Sequence, residues 1–322
     1  MASGKLSGKN LRENVLDLLS SRRGEVLVGA GVASDCASLC SEGTLVVHTD
    51  PITGATKEIG SLAVKVVLND IAAGYGEPIA LLLTLLLPET MSYEDVKHIM
   101  LDAEAEATKW NAEIIGGHTE FTDAVTRPVV NAVGIGKRAT NYVAYKPQIG
   151  DGIIVTKKVA LEGTFILAEQ YANRINLLED ELLEIKKYSE LTSVMAEAKA
   201  IRESGISACM HDITEGGVLG AVKELCDITG VGATVYVDKI PVSELTKKVT
   251  TALKVNPLRL ISSGSMLIVT AKVTEAIKAL AEANIDATLI GEITLGDARL
   301  INKENIEIIN VEPDELYRKI GD

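Results

Sequence analysis

Apolar residues recur along the chain at two spacings, which together predict an alternation of helices and strands. The three-and-four spacing of a buried helix face predicts helices over residues 10–20, 59–73, 92–110, 161–172, 177–204 and 274–283. Short apolar runs between turn signals predict strands over residues 25–28, 44–49, 78–88, 112–117, 129–136, 152–156 and 287–290. The alternation is typical of the α/β class.

Residues 145–151 form a turn-rich segment without apolar periodicity, which predicts a boundary between two domains, 1–146 and 147–322. A chain of 322 residues suits two domains better than one. The longest apolar run, residues 79–87, is too short to span a membrane and fits a strand covered on both faces. The first ten residues lack the apolar core of a secretory signal, so we expect a cytoplasmic protein without a membrane partner.

The charge balance excludes nucleic acid as a partner. The net charge is −13 with a pI near 4.9, whereas nucleic-acid binding needs clustered Lys and Arg. An acidic protein that binds an anionic nucleotide needs a cation between the two. The four cysteines are too few for a disulfide framework, and we expect reduced thiols.

Two aspartates are the first candidates for chemistry. Asp50 ends a predicted strand, and Asp70 follows Asn69 on the next predicted helix, where the apolar run would otherwise continue. A carboxylate beside an apolar face costs free energy unless a charge meets it, which makes a divalent metal a natural candidate. The alternative is that Asp50 starts an Asx turn before Pro51 while Asp70 faces solvent.

Two glycine-containing segments are further candidates. Residues 116–120, Gly-Gly-His-Thr-Glu, follow a predicted strand, where glycines allow close approach to phosphate and His118 or Glu120 can act as a base. Residues 210–218 place Thr214 as a helix cap, with free N–H groups after it that favour an anion. The alternatives are a turn histidine and an ordinary capped helix.

These segments resemble one known family. The AIR synthase superfamily has motifs that resemble three segments of this chain. The first segment is residues 49–78, with T-D-P-I-T-G, E-I-G and N-D-I-A-A-G-Y-G-E-P. The others are H-D-I-T-E-G-G-V-L-G-A over 211–221 and S-S-G-S-M-L over 262–267. This superfamily includes aminoimidazole ribonucleotide synthase, the hydrogenase maturation protein HypE and thiamine-monophosphate kinase. His118, where relatives carry an acid, is typical of the AIR-synthase-related, HypE-like branch.

The resemblance implies a fold, a ligand and residue roles. It implies a two-domain PurM-like fold, in which the N-terminal α/β domain forms a dimeric β-barrel and the C-terminal domain is an α/β sandwich. It implies ATP and Mg²⁺, with a homodimer that holds the nucleotide near its interface. The implied metal ligands are Asp35, Asp50 and Asp70, although Ser34 stands where the family has its first aspartate. The implied cofactor-binding residues are Lys5, Gly29, Gly31, Asn69, Gly116, Gly117, Thr119, Glu215, Gly216 and Gly217, and the implied catalytic residues are His118, Glu120 and Asp212.

Family chemistry implies that ATP phosphorylates an amide or carbonyl oxygen, as in hydrogenase maturation. HypE proteins carry the reacting group on a C-terminal cysteine, whereas the last cysteine here is Cys226, so the substrate stays open between a small molecule and a thiol or amide of a partner protein. One alternative is a true aminoimidazole ribonucleotide synthase, which Gly-Gly-His-Thr-Glu in place of Gly-Gly-Glu-Thr disfavours. A second is a nucleotide-binding assembly protein without turnover, suggested by the altered loop at residues 29–37. A third is a zinc enzyme built from His48, His118 and His211.

Overall fold

The computed structural model describes residues 4–31, 36–53, 58–139, 143–303 and 305–320, with backbone alone at residues 4, 5, 319 and 320. The chain divides into two compact units, Met1–Tyr142 and Val143–Asp322, and each unit contains its own large sheet. The predicted α/β class is therefore confirmed. Within the described ranges, every helix is too short or too polar to cross a membrane.

The first unit is a five-stranded sheet with helices on one face. Its elements are β1 Gly4–Lys5, α1 Gly8–Asn14, β2 Val26–Val28, β3 Ser38–Leu39, β4 Thr44–Ile52, α2 Ile59–Ala73, β5 Glu77–Leu87, α3 Tyr93–Lys109, β6 Glu113–Phe121 and β7 Val129–Arg138. The strand order is β1-β6-β5-β7-β4, with β5 and β6 parallel and the other pairs antiparallel. Strands β2 and β3 form a separate small sheet.

The two faces of this sheet differ in how far they are covered. On β5, Leu83, Leu85 and Leu87 are buried beneath the helices, whereas Leu82 and Leu86 on the other face are only half-buried. The small sheet packs over part of that second face, where Val26, Leu39 and Leu82 pack against one apolar cluster. Coverage of this strand on both faces is therefore partial in the single chain, because the helices cover one face and the small sheet covers part of the other. We call the second face the open face.

Two strands run further than predicted. Strand β4 continues through Pro51, which pairs opposite Asn131, because β4 is the sheet edge and an edge strand tolerates a missing N–H. Strand β6 continues to Phe121, so the Gly-Gly-His-Thr-Glu segment lies inside a strand instead of in a turn after it. The first helix is shorter than predicted: Ser7 caps it, and the non-helical backbone of Val15 ends it.

Helices α2 and α3 cross closely at Gly60. A Cβ atom at Gly60 would lie 2.0 Å from the carbonyl oxygen of Ile99 and 3.1 Å from the amide nitrogen of Ala103. Ala63 and Val67 of α2 are completely buried. The absence of a side chain at Gly60 therefore sets how near the two helices pack.

The second unit is a seven-stranded mixed sheet with helices around it. Its elements are β8 Gly152–Thr156, α4 Leu161–Gln170, α5 Glu179–Lys186, α6 Met195–Ser204, β9 Cys209–Ile213, α7 Gly217–Thr229, β10 Gly232–Tyr236, α8 Glu244–Leu253, β11 Ser265–Thr270, α9 Val273–Glu282, β12 Ala287–Thr294, β13 Arg299–Asn302, β14 Asn305–Ile308 and α10 Glu315–Ile320. The strand order is β14-β13-β10-β12-β8-β11-β9, and only the β10/β13 pair among these described strands is parallel.

Strands β8 and β12 at the centre of this unit were predicted, whereas the interior strand β10 and the edge strands β9 and β14 were missed. Strand β8 is buried along its whole length and was predicted with the observed ends. Strand β14 alternates polar and apolar residues, Asn305-Ile306-Glu307-Ile308, but it is only four residues long and is exposed at every residue. Its pairing with β13 keeps it in place.

We predict that Gly60→Ala destabilises the first unit by about 1–3 kcal/mol, because the added methyl group overlaps the α3 backbone. Gly24→Ala is the matched control, since nothing lies within 4 Å of a Cβ atom at that position. Urea denaturation followed by circular dichroism measures both variants. Equal stability of the two variants would contradict the close crossing.

Candidate functional site

Three side chains that can bind a cation meet where β4 packs against α2. His48, Asp50 and Asp70 each offer a ligand atom, and these atoms all lie within 4.8 Å of one another. The Nε2 atom of His48 lies 3.3 Å from Oδ2 of Asp70. The structure thus brings the two predicted aspartates together and adds a nitrogen donor.

The strand register explains this convergence. His48 pairs opposite Gly134 and Asp50 opposite Ala132, and both partners face α2. Residues two apart on a strand point to the same face, so His48 and Asp50 both point towards the helix. Asp70 lies one helical turn before Gly74, which packs against β4 at Val46.

Carboxylate oxygens are suitable ligands for Mg²⁺, and an imidazole nitrogen widens the range of ions that fit. The exposed fractions of the His48 and Asp70 side chains are 43% and 30%, so water ligands have access. Asp35, the third predicted ligand, lies outside the described residues. Asn69, a predicted cofactor-binding residue, lies on α2 and is 1% exposed.

A second group of predicted residues lines a cavity of about 130 Å³ beside β6. Its lining includes six of the predicted site residues. They come from strand β6 and from the loop that contains Gly29 and Gly31, which we call the glycine loop: Gly29, Gly31, Gly116, Gly117, His118 and Thr119. Gly117 has a φ of +148°, and a Cβ atom there would lie 1.8 Å from the carbonyl oxygen of Leu83. Only glycine therefore fits at this point of the cavity wall.

His118 and Glu120 form an ion-pair geometry on the open face of the sheet. The Nε2 atom of His118 lies 3.1 Å from Oε2 of Glu120, and the two side chains are about one-third exposed. The backbone of Lys5 pairs with Glu120 through β1. A base held by a carboxylate, open to solvent, is the arrangement that proton transfer needs.

The cation cluster and the cavity lie at different places on the sheet, although the sequence predicted one site. Asp50 and Gly117 lie at the same level of the sheet, but strands β7 and β5 lie between them. At roughly 4.8 Å per strand, their backbones are about 14 Å apart. His48 points to the helix face and His118 to the open face. The three-histidine zinc hypothesis is therefore wrong, and His211 pairs with Glu224 in the second unit at 3.0 Å.

Two carboxylates, buried Glu104 and half-buried Glu25, hold the segment that precedes the glycine loop. Glu104 accepts hydrogen bonds from the N–H groups of Ser20 and Ser21, both at 2.7 Å. Glu25 binds Lys137 at 2.6 Å and Arg23 at 2.7 Å. These hydrogen bonds from Lys137 and Arg23 lower the pKa of Glu25 to about 2. Hydrogen bonds to Glu104 of α3 and an ion pair with Lys137 of β7 thus hold this part of the cavity wall in place.

The motif segments of the second unit converge around Ser262 and Ser263. The N–H of Ser263 donates to Glu162 at 3.2 Å, and the N–H of Ser262 donates to the carbonyl of Thr214 at 3.3 Å. Burial is the main cause that raises the pKa of Glu162. Asp212, a predicted catalytic residue, lies on β9 with 4% exposure. These contacts join the segments around Glu162, Thr214 and Ser262 within one unit.

The predicted anion loop before α7 is occupied by the chain itself. The N–H of Gly216 donates to Oδ2 of Asp314 at 2.7 Å, and that of Gly217 donates to the carbonyl of Thr214 at 3.2 Å. The hydroxyl of Tyr317 donates to Glu215, which raises the pKa of Tyr317 to about 12. The expectation of free N–H groups at both glycines is therefore wrong, and Thr214 makes no side-chain cap.

Sequence reasoning missed three participants. His48 was not assigned as a ligand beside Asp50 and Asp70, although its position two residues before Asp50 on a predicted strand was a usable signal. Asp314 and Tyr317 gave no such signal, because they lie about a hundred residues from the loop that they contact.

Two family models match the chain. The model for the AIR synthase related protein, N-terminal domain, matches residues 33–137, and the model for the C-terminal domain matches residues 148–301. Together they cover most of the sequence.

Relatives with similar sequences carry names from hydrogenase maturation. A protein of Methanocaldococcus jannaschii named for hydrogenase expression/formation is 29% identical over 229 residues, which is 70% of this chain and 66% of that protein. Carbamoyl dehydratase HypE of Escherichia coli is 25% identical over 273 residues, covering 80% of this chain and 79% of the relative.

Solved structures share the fold. The crystal structure of E. coli HypE superimposes with a TM-score of 0.80 at 20% identity, over 95% of this chain and 98% of that one. HypE in complex with ATP gives 0.77 at 18% identity over 97% of each chain. Thiamine-monophosphate kinase from Stenotrophomonas maltophilia gives 0.71 at 20% identity over 93% and 98%. The expected two-domain PurM-like fold is thereby confirmed.

We predict that Glu162→Gln changes how stability depends on pH. Because the pKa of the Glu162 carboxyl is raised, the folded state favours its neutral form. The contribution of Glu162 to folding stability is therefore fully present below its unfolded-state pKa of 4.5 and is lost as pH rises through its folded-state pKa. The variant lacks this loss and should gain stability relative to wild type as pH rises above the unfolded value of 4.5. Urea denaturation at several pH values measures it, with exposed Glu275→Gln as the control. A difference that does not vary with pH would contradict the assignment.

Proposed function

The chain belongs to the AIR synthase related family, and on this premise we propose that it is an ATP- and Mg²⁺-dependent enzyme that phosphorylates an amide or carbonyl oxygen. The observation that carries the proposal is the convergence of Asp50 and Asp70 from a strand and a helix. Both residues were singled out from sequence, and both were assigned to the metal that holds the ATP phosphates.

Charge neutralisation is the reason that such a site needs a cation. The protein has a formal net charge of −13, and a triphosphate is itself strongly anionic. A divalent ion between the aspartates and the phosphates neutralises charge that develops during phosphoryl transfer. Asp50 and Asp70 hold the ion, and their position on two packed elements keeps the site rigid.

His118 and Glu120 are assigned to proton transfer. Glu120 orients the imidazole across 3.1 Å, which lets one ring nitrogen accept a proton from the substrate while the carboxylate stabilises the resulting cation. The neighbouring glycines, Gly116 and Gly117, leave room for a ligand backbone or phosphate beside β6. Asp212 and the loop at residues 215–217 are assigned to substrate binding by the second unit.

The substrate class is an amide or carbamoyl group. Relatives named carbamoyl dehydratase HypE remove water from a carbamoyl group, and phosphorylation turns its oxygen into a leaving group. The crystal structure of a HypE–HypF complex contains a chain that is 20% identical to this one, so a thiol or amide on a partner protein is the proposed carrier here. A small amide is the other substrate that this chemistry serves.

The proposed quaternary state is a homodimer that covers the part of the open face formed by β4 and β7. Leu45 and Val47 of β4 are 46% and 60% exposed, and they lie on the same face as the half-buried Leu86, Val129 and Val133. A contiguous apolar sheet face is a typical interaction surface. A second copy of this chain is the partner that the family resemblance implies.

We predict that Asp70→Asn abolishes Mg²⁺-dependent ATP binding without unfolding the protein, because one charged ligand is lost while the shape is kept. Wild type should gain about 2.7 kcal/mol of stability at a ligand concentration near one hundred times the dissociation constant. Thermal melting with and without Mg²⁺ and ATP measures this gain.

The matched control for that experiment is Asp227→Asn, which removes an exposed ion pair with Lys223. Undiminished binding by the Asp70 variant would reject the metal assignment. Release of ADP with carbamoyl or amide substrates then separates an enzyme from a nucleotide-binding assembly protein, which shows the melting shift without turnover.

We predict that Val47→Lys weakens dimer formation at least about tenfold, because it places a charge on the apolar open face. Ile228→Lys is the control, since Ile228 is 82% exposed and belongs to the second unit. Sedimentation equilibrium measures both dissociation constants. A monomeric wild type, or equal effects of the two substitutions, would reject this interface.

A further inference from the structure

The cation cluster differs from a magnesium site in one respect: one of its three ligand atoms is nitrogen. We infer that His48 binds the cation directly and makes the site selective for Mn²⁺ over Mg²⁺. This inference rests on the proposed function, since it names the ion that the same site prefers. Nothing in the family match assigns a role to His48.

The geometry fits a single ion shared by the three side chains. Two ligands at right angles around an ion about 2.2 Å away lie about 3.1 Å apart. The 3.3 Å between His48 Nε2 and Asp70 Oδ2 is close to this separation. Asp50 offers its oxygen within 4.8 Å of both atoms, so a small rotation of its side chain completes the set.

The cluster brings two carboxylates and one imidazole within 4.8 Å of one another. The register of β4 fixes Asp50 and His48 on the same face, so neither can turn away without moving the strand.

Ligand chemistry gives the direction of selectivity. Mg²⁺ takes oxygen ligands in a strict octahedron and keeps several of its waters. Imidazole binds first-row transition metals more strongly, and Mn²⁺ accepts nitrogen together with carboxylate and water. Partial exposure of His48 and Asp70 leaves room for water or phosphate oxygens to complete the coordination.

The test measures binding of the metal alone, without nucleotide. Mn²⁺ is titrated into the full chain and followed by electron paramagnetic resonance of the free ion, and Mg²⁺ is added as a competitor. Wild type should bind Mn²⁺ at least about tenfold more tightly than Mg²⁺. His48→Gln should lose at least about tenfold in Mn²⁺ affinity and leave Mg²⁺ affinity nearly unchanged.

His211→Gln is the matched control, because His211 also pairs with a carboxylate, Glu224 at 3.0 Å, but lies in the second unit. Circular dichroism checks that each variant is folded. Equal Mn²⁺ affinity of wild type and His48→Gln overturns the inference, even when ATP with Mg²⁺ still stabilises the protein and the proposed function stands. Absence of both metal binding and nucleotide stabilisation overturns the two together.

Discussion

The pairing register of β4 with β7 is the constraint on which the candidate site depends. In this register His48 and Asp50 point to α2, while Thr49 and Pro51 point to the open face. A slip of one residue would exchange the two sets, because side chains alternate along a strand. The cluster would then lose two of its three donors at once. Apolar packing of α2 on the sheet therefore determines where the charged groups meet.

Acidic residues serve this protein in two different ways. Some carboxylates, such as Asp50 and Asp70, gather where an ion can reach them. Others are buried and hold chain segments together, as Glu104 does for the two serines after α1 and Glu162 does for the N–H of Ser263. The net charge alone therefore does not measure how much acidity faces a ligand. Position relative to the sheet separates the two groups.

Local patterns predicted the parts of the structure that local physics determines. The buried strand β8, helix α3 and the helix carrying Asp70 follow from spacing and residue type. The passage of β4 through Pro51 did not follow, because edge position in a sheet is a property of the whole fold. The separation of the cation cluster from the cavity likewise depends on strand order, which the sequence does not state. The contact between Asp314 and Gly216 joins distant segments and left no local trace.

That contact couples the end of the chain to the loop before α7. Asp314 accepts the N–H of Gly216 and also that of Leu316, so one carboxylate bridges the loop and the first turn of α10. An anion that takes the Gly216 N–H must displace this carboxylate. Anion binding at the loop is then thermodynamically linked to release of α10. By reciprocity, any interaction that stabilises α10 in its place weakens anion binding. The last helix would therefore compete with such an anion for the loop. The chain segment that connects it to the rest of the unit sets its effective concentration there.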